Sequence, residues 1–189
     1  MDERYLIVGL GNPGKAYEDT RHNVGFRVVQ MLAEKNGLIL KPRLDITKGN
    51  LADGTIAGKE LLLLQPLTYM NSSGYSVRLC SDYFKVPYGH VLVVVDDVAL
   101  PFGHLRFRMA GSAGGHNGLK SVEEHLGTQN YSRLRIGVGK DPNSELADYV
   151  LGPFTAEEKK LLSEVLERSV AVVETWISLG PQAAMQLNQ

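Results

Sequence analysis

The sequence predicts a single α/β domain. Two observations carry that reading. Five short β-rich runs, most of them bounded by Gly, Pro, Asn or Asp, alternate with stretches of helical periodicity. The 189 residues also contain neither a linker nor an internal repeat. With 43% hydrophobic and 22% charged residues, and 20 Lys+Arg against 21 Asp+Glu, the composition is that of a soluble globular chain and excludes a disordered one.

The first expected strand is Tyr5 to Val8, and the loop Gly9-Leu10-Gly11-Asn12-Pro13-Gly14 follows it. The loop fits G-x-G-x-x-G, but its context argues against dinucleotide binding. Residues 15–23 have no apolar periodicity to open a helix on a pyrophosphate. Val24 to Lys35, closed by Gly37, reads as a helix where a second strand is required. The loop is expected to be a turn that projects the Asn12 carboxamide into a cleft. Residues 41–60 mix Lys41, Arg43, Asp45 and Lys48 with three glycines and are expected to form a hairpin.

Leu61 to Leu64, Val91 to Val95, Leu105 to Phe107 and Leu134 to Val138 are the remaining expected strands. Helices are expected over Ser72 to Phe84 and over Gly118 to Leu126, the latter closed by Gly127. Thr155, with Glu158 three residues on, forms a capping box before an amphipathic stripe that runs through Leu162, Val165, Leu166, Val170, Val173, Trp176 and Ile177. That stripe is expected to pack on the sheet.

Cys80 is the single cysteine, which excludes an internal disulfide framework and fits a small buried side chain in a reducing compartment. The start, Met1-Asp2-Glu3-Arg4, carries no apolar signal segment. The aliphatic runs are far shorter than the roughly 20 residues needed to cross a bilayer, so a cytoplasmic location and no membrane partner are expected. A net charge of -1 confines any nucleic-acid site to one face.

His22 stands in a polar segment at the start of the first helix. Asp96-Asp97 ends the all-aliphatic run, where a carboxylate faces the crevice of an open α/β sheet. If Asp96 meets His22, the carboxylate fixes the imidazole tautomer and lets it take a proton from water, which is hydrolysis without a covalent nucleophile. Adjacent acids also suit Mg²⁺. No further acid cluster completes a shell, and the five histidines show no paired zinc spacing, so no metal is expected.

Asn12, Asn71 and Asn117 lie at loop or element boundaries, and Asn71 and Asn117 are expected to serve at least in part as N-caps. Carboxamides also match a substrate that carries peptide groups, and can stabilise a carbonyl oxygen as charge develops. Alternation places His104, Arg106 and Arg108 on one strand face, and Arg133 and Arg135 together on another, as a candidate phosphate grip or a solvated edge. Gly111-Ser112-Ala113-Gly114-Gly115 between them offers close backbone approach or a mobile gate.

Across roughly residues 4 to 180 the chain resembles the bacterial-type peptidyl-tRNA hydrolases. The blocks that carry the resemblance are Val8 to Gly14, Tyr17 to Gly25, Pro66 to Gly74, Asp96-Asp97, Leu100 to Gly103, Gly111 to Lys120 and Arg133 to Gly137. The resemblance implies a monomer with a mixed twisted sheet flanked by helices, no cofactor, and hydrolysis of the ester that joins a peptide to the 3′ end of tRNA. In relatives this recycles tRNA released from stalled ribosomes. Carried over by position, His22 is the general base and Asp96 its carboxylate partner. Asn12 and Asn71 are substrate-binding amides, Asn117 holds the attacking water, and Tyr17, Met70 and His116 line the cleft. Arg108 and Arg135 match the clamp on the acceptor stem's 5′ phosphate.

Three positions depart from the pattern. Ala99 replaces a second acid, which puts in doubt how the loop from Val98 to Gly103 is tied down; Gln30 replaces an acid, and Ala110 replaces a glycine. The competing reading is a non-catalytic RNA-binding relative of the splicing-factor type. The complete set of His22, Asp96 and three asparagines separates the two, since a pure binder has no need of it.

Overall fold

The structure is a computed structural model and describes residues 3–188. Seven strands form one mixed sheet: β1 (Tyr5–Gly9), β2 (Lys41–Arg43), β3 (Gly49–Ile56), β4 (Lys59–Pro66), β5 (Val91–Asp97), β6 (Leu105–Arg108) and β7 (Ser132–Gly137), in the order β2-β3-β4-β1-β5-β7-β6. The pairs β1/β4, β1/β5 and β5/β7 are parallel, and β2/β3, β3/β4 and β6/β7 antiparallel. The helices are α1 (Val24–Lys35), α2 (Ser73–Phe84), α3 (Asn117–Leu126), α4 (Leu146–Val150), α5 (Ala156–Leu179) and α6 (Pro181–Met185).

Both faces of the central strands are covered, which is why Val91 to Val95 can be aliphatic without alternation. Ile7, Leu63, Leu92 and Val94 pack on the side of α1 and α5, where the expected stripe from Leu162 to Ile177 is buried. Leu6, Val8, Leu64, Val93 and Val95 pack on the side of α2 and α3 with Val77, Leu119 and Val122. Each such side chain contributes about 1.5–3 kcal/mol of burial. Cys80 lies in this second layer, where burial pushes its thiol pKa up to about 12.

The hairpin expected over residues 41–60 is present as β2 and β3, which pair from Lys41↔Leu51 to Arg43↔Gly49. A longer second hairpin joins β3 to β4, eight residues each, through Ala57 (φ 52°) and Gly58 (φ 76°), a two-residue turn whose left-handed backbone matches strand twist. The chain leaves β1 through α1 toward one side of the sheet and returns from β4 through α2 to β5 on the other side of β1. A crevice therefore opens at the carboxyl ends of β1 and β5. Gly9 and Gly25 let α1 approach its floor, since a Cβ on Gly9 would lie 2.1 Å from the Gly25 carbonyl oxygen.

Candidate active site

His22 sits in a 3-10 turn, Arg21–Asn23, that joins the β1 loop to α1. Its Nδ1 lies 2.9 Å from both carboxylate oxygens of Asp96, which β5 delivers to the crevice at 2% exposure. Their sequence separation is 74 residues, so only the sheet brings them together. With Nδ1–H donating to Asp96, Nε2 carries the lone pair, and no protein partner meets it among the described residues.

A second imidazole shares the same carboxylate. His116 Nε2–H donates to Asp96 Oδ1 at 2.8 Å, and its Nδ1 accepts the backbone N–H groups of Gly118 and Leu119 at 3.1 and 3.3 Å. His116 is therefore the N-cap of α3, and the expectation for Asn117 is corrected: Asn117 is the first helical residue. Asn71 is likewise no N-cap, since it lies inside the 3-10 turn Met70–Ser72 and Ser72 precedes α2. Burial, the strongest influence on Asp96, opposes its charge. The electrostatic attraction and hydrogen bond of His116, then the hydrogen bond and attraction of His22, outweigh it and hold the carboxyl below the usual range.

His22, Asp96 and His116 form the one cluster of three metal-competent side chains found among the described residues, their ligand atoms all within 4.8 Å of one another. Sequence spacing gave no sign of it. Both imidazole N–H groups are spent on the carboxylate at hydrogen-bond distance, and the other His116 nitrogen is taken by backbone donors. The cluster is thus built as a relay of hydrogen bonds.

Asn12, 8% exposed, is held from two directions. Asn23, 2% exposed, bonds its backbone reciprocally, Oδ1 accepting Asn12 N–H and Nδ2 donating to Asn12 O, each at 2.9 Å. Asn12 Oδ1 accepts Met70 N–H at 2.8 Å. That bond aims Met70 through Tyr69, whose backbone (φ 64°, ψ 157°) lies in a region that costs a non-glycine residue about 1–3 kcal/mol.

Two cavities meet at His22. One, of about 220 Å³, is lined by Asp96, Asp97, Val98, Gly114, Gly115, His116 and Arg135. The other is lined by Asn12, Tyr69, Met70, Asn71 and Leu151, and both share His22, Asn117, Ala147 and Val150. The structure thus gathers every expected site residue except Tyr17 and Arg108. Tyr17 lines neither cavity; it is half-buried in the preceding turn, where its carbonyl accepts Thr20 Oγ1. Arg108 lies exposed on β6.

The four arginines of β6 and β7 share a face in two opposed pairs, Arg106 with Arg135 and Arg108 with Arg133. Arg133 is fully buried and donates to the carbonyls of Gly111, Ser112, Gln129 and Tyr131. Its expected share in a phosphate grip is therefore corrected: it ties down the gate loop. Arg135 donates to Ser112 O at 2.8 Å and lies 3.8 Å from Asp97. Asp97, which the sequence reading placed beside Asp96 at the crevice, is a second acid in the cleft. Its Oδ1 accepts Ala99 N–H at 2.8 Å, so the loop from Val98 to Gly103 is tied through Asp97, through Gly103 N–H to Gly137 O, and through Arg168 to Gly103 O.

Asn23, Arg21 and α4 escaped the sequence reading. The first two flank His22, which is the available signal; five residues of α4 with no fully buried member leave none.

The family model described as Peptidyl-tRNA hydrolase matches residues 6–189. Peptidyl-tRNA hydrolases of Clostridium novyi and Gloeobacter violaceus are 44% and 48% identical to the chain, over 96% and 98% of it and 95% and 93% of their own lengths. The crystal structure of peptidyl-tRNA hydrolase from Acinetobacter baumannii superposes with a TM-score of 0.90 at 38% identity, covering 100% of this chain and 96% of that one. The shared fold and this sequence similarity along nearly its whole length place the chain in the peptidyl-tRNA hydrolase family.

Proposed function

We propose that the chain cleaves the ester between a peptide and the 3′ end of tRNA with water activated by His22. One observation carries the assignment: Asp96 holds His22 Nδ1 at 2.9 Å and leaves Nε2 without a protein partner at the junction of two cavities. Nε2 takes a proton from water as the oxygen attacks the ester carbonyl. The negative charge that develops on the carbonyl oxygen meets carboxamide donors at the junction, with Asn117 lining both cavities. On collapse the ribose 3′ oxygen leaves and takes the proton from the imidazolium, giving a free peptide acid and tRNA with its 3′ hydroxyl restored.

The Asn12–Met70–Asn71 cavity is assigned to the peptide, and the Asp97–Arg135 cavity to the 3′-terminal nucleotide. Arg106 and Arg108 on the exposed ribbon, with Arg135 opposite Arg106, extend from the second cavity toward the acceptor-stem phosphates. A monomer in the cytoplasm fits this reading, and no helix among the described residues is long and apolar enough to cross a membrane. The complete hydrolytic set favours an enzyme over an RNA binder. Incubation with N-acetyl-aminoacyl-tRNA should release the blocked amino acid, and His22→Ala should slow release roughly 10² to 10⁴-fold while tRNA binding persists. Near-normal turnover by that variant would falsify the assignment.

A further inference from the structure

α4 crosses the cleft with no fully buried residue of its own, and Leu146 and Leu151 at its ends are 53% and 41% exposed. Apolar burial therefore does little to hold it where Ala147 and Val150 line both cavities. Polar ties do so, and they converge on Arg21. Its Nη1 donates to the Tyr149 carbonyl at 3.2 Å, its Nη2 to Glu158 Oε1 at 3.0 Å, and its Cζ stacks 3.9 Å from the Tyr149 ring centroid. Its backbone N–H donates to Gly152 O at 3.1 Å, and Thr20 bridges to Pro153. The Tyr149 hydroxyl in turn donates to Val138 O at 2.7 Å, just beyond β7.

Glu158 serves two groups with one oxygen: it completes the capping box with Thr155 N–H at 2.8 Å and receives the guanidinium. The ion pair is nearly out of water, with side-chain exposures of 8% and 15%. Burying such a pair is expensive unless its geometry does something specific. Here it braces Arg21, the residue beside His22, against the first turn of α5, while the same guanidinium holds α4 through the carbonyl and ring of Tyr149.

We propose that Arg21 is a positioning residue of the hydrolase, holding α4 over the bound acyl chain at a fixed distance from His22. The proposal rests on the assignment of His22 as the base. Its contribution is to substrate binding, because the guanidinium touches neither the relay of Asp96 nor the free nitrogen of His22.

The test compares Arg21→Lys and Glu158→Gln with the wild-type full chain on N-acetyl-aminoacyl-tRNA. Glutamine at the third helical position keeps a capping box while losing the charge, and lysine keeps the charge while losing the fork. Both variants should raise KM roughly tenfold with kcat and its pH profile changed less than about twofold. A role in folding alone would shrink the active fraction, lowering kcat at unchanged KM, and that result overturns the proposal. An unchanged KM in both variants overturns it too, with the hydrolase reading left standing. A wild-type protein that releases nothing would instead remove the hydrolase reading, and this proposal with it.

Discussion

Met70 N–H binds Asn12 Oδ1 at 2.8 Å, and that single bond decides which end of the Asn12 carboxamide the cleft meets. The oxygen is turned inward to Met70, which leaves the Nδ2 donor facing a ligand. A donor suits the carbonyl of an N-blocked peptide and has nothing to offer a free ammonium.

Asn12→Asp should therefore keep the bond to Met70 and turn the cleft-facing atom into an anionic acceptor. Hydrolysis of N-acetyl-aminoacyl-tRNA is expected to fall about 10- to 100-fold, and the ratio of activity on unblocked over blocked substrate to rise. Parallel assays on the two substrates check this; an unchanged ratio would show that Nδ2 does not meet the acyl group.

The Asp96 carboxyl is harder to protonate in the folded protein than in the unfolded chain, because His116 and His22 outweigh the cost of its burial. The stability it contributes is fully present above the unfolded value of about 4 and is lost as pH falls through the lower folded value. Thermal melts from pH 6 to pH 2 should show the wild type losing stability below about pH 4 and Asp96→Asn losing less over that interval. At neutral pH the same variant should lose roughly 10²-fold or more in kcat, since the tautomer of His22 is no longer enforced.

His116 does two jobs that one pair of substitutions separates. Asparagine is a good N-cap, so His116→Asn should keep α3 and melt near the wild type while losing the imidazole donor to Asp96. His116→Ala should cost about 1 kcal/mol more through the lost cap. Comparable loss of kcat in both, with melting lowered only in the alanine variant, is the expected pattern. Full activity in the asparagine variant would show that Asp96 needs only His22.

Among the ribbon arginines, Arg106→Ala and Arg108→Ala should each flatten the salt dependence of tRNA binding by up to about one unit without altering melting. Arg133→Ala should instead destabilise the fold by ~3 kcal/mol, because the carbonyls of Gly111, Gln129 and Tyr131 lose donors worth about 1 kcal/mol each. Binding titrations at several salt concentrations, set beside melts, distinguish the two classes.

What the sequence made legible was local. Aliphatic runs marked the strands buried on both faces, and the Thr155–Glu158 box marked the start of α5 because its partners are three residues apart. β3 was obscured by Gly49 and Gly54 and by its mix of exposed and buried positions. α4 stayed hidden because its neighbours are distant in sequence and it buries nothing completely. Alternation paired Arg106 with Arg108 and Arg133 with Arg135, but only the β6/β7 register puts all four on one face, and alternation could not tell that the gate loop folds over Arg133 and leaves Arg106 and Arg108 in water. For the site, residue types and a family likeness named His22 and Asp96. Only the sheet order brings them within 2.9 Å, and the double use of His116 needs a ring nitrogen where a cap is ordinarily a hydroxyl or carboxamide.

β1 is made before both of its neighbours and ends up in the middle of the sheet; those neighbours begin at Lys59 and Val91. A growing chain must carry β1 unpaired until those segments have been made, which favours late, non-local closure and a spell of exposed aliphatic edge. The imidazole comes from before that interval and its carboxylate from after it. A fragment that ends before β5 consequently holds His22 without the carboxylate that orients it.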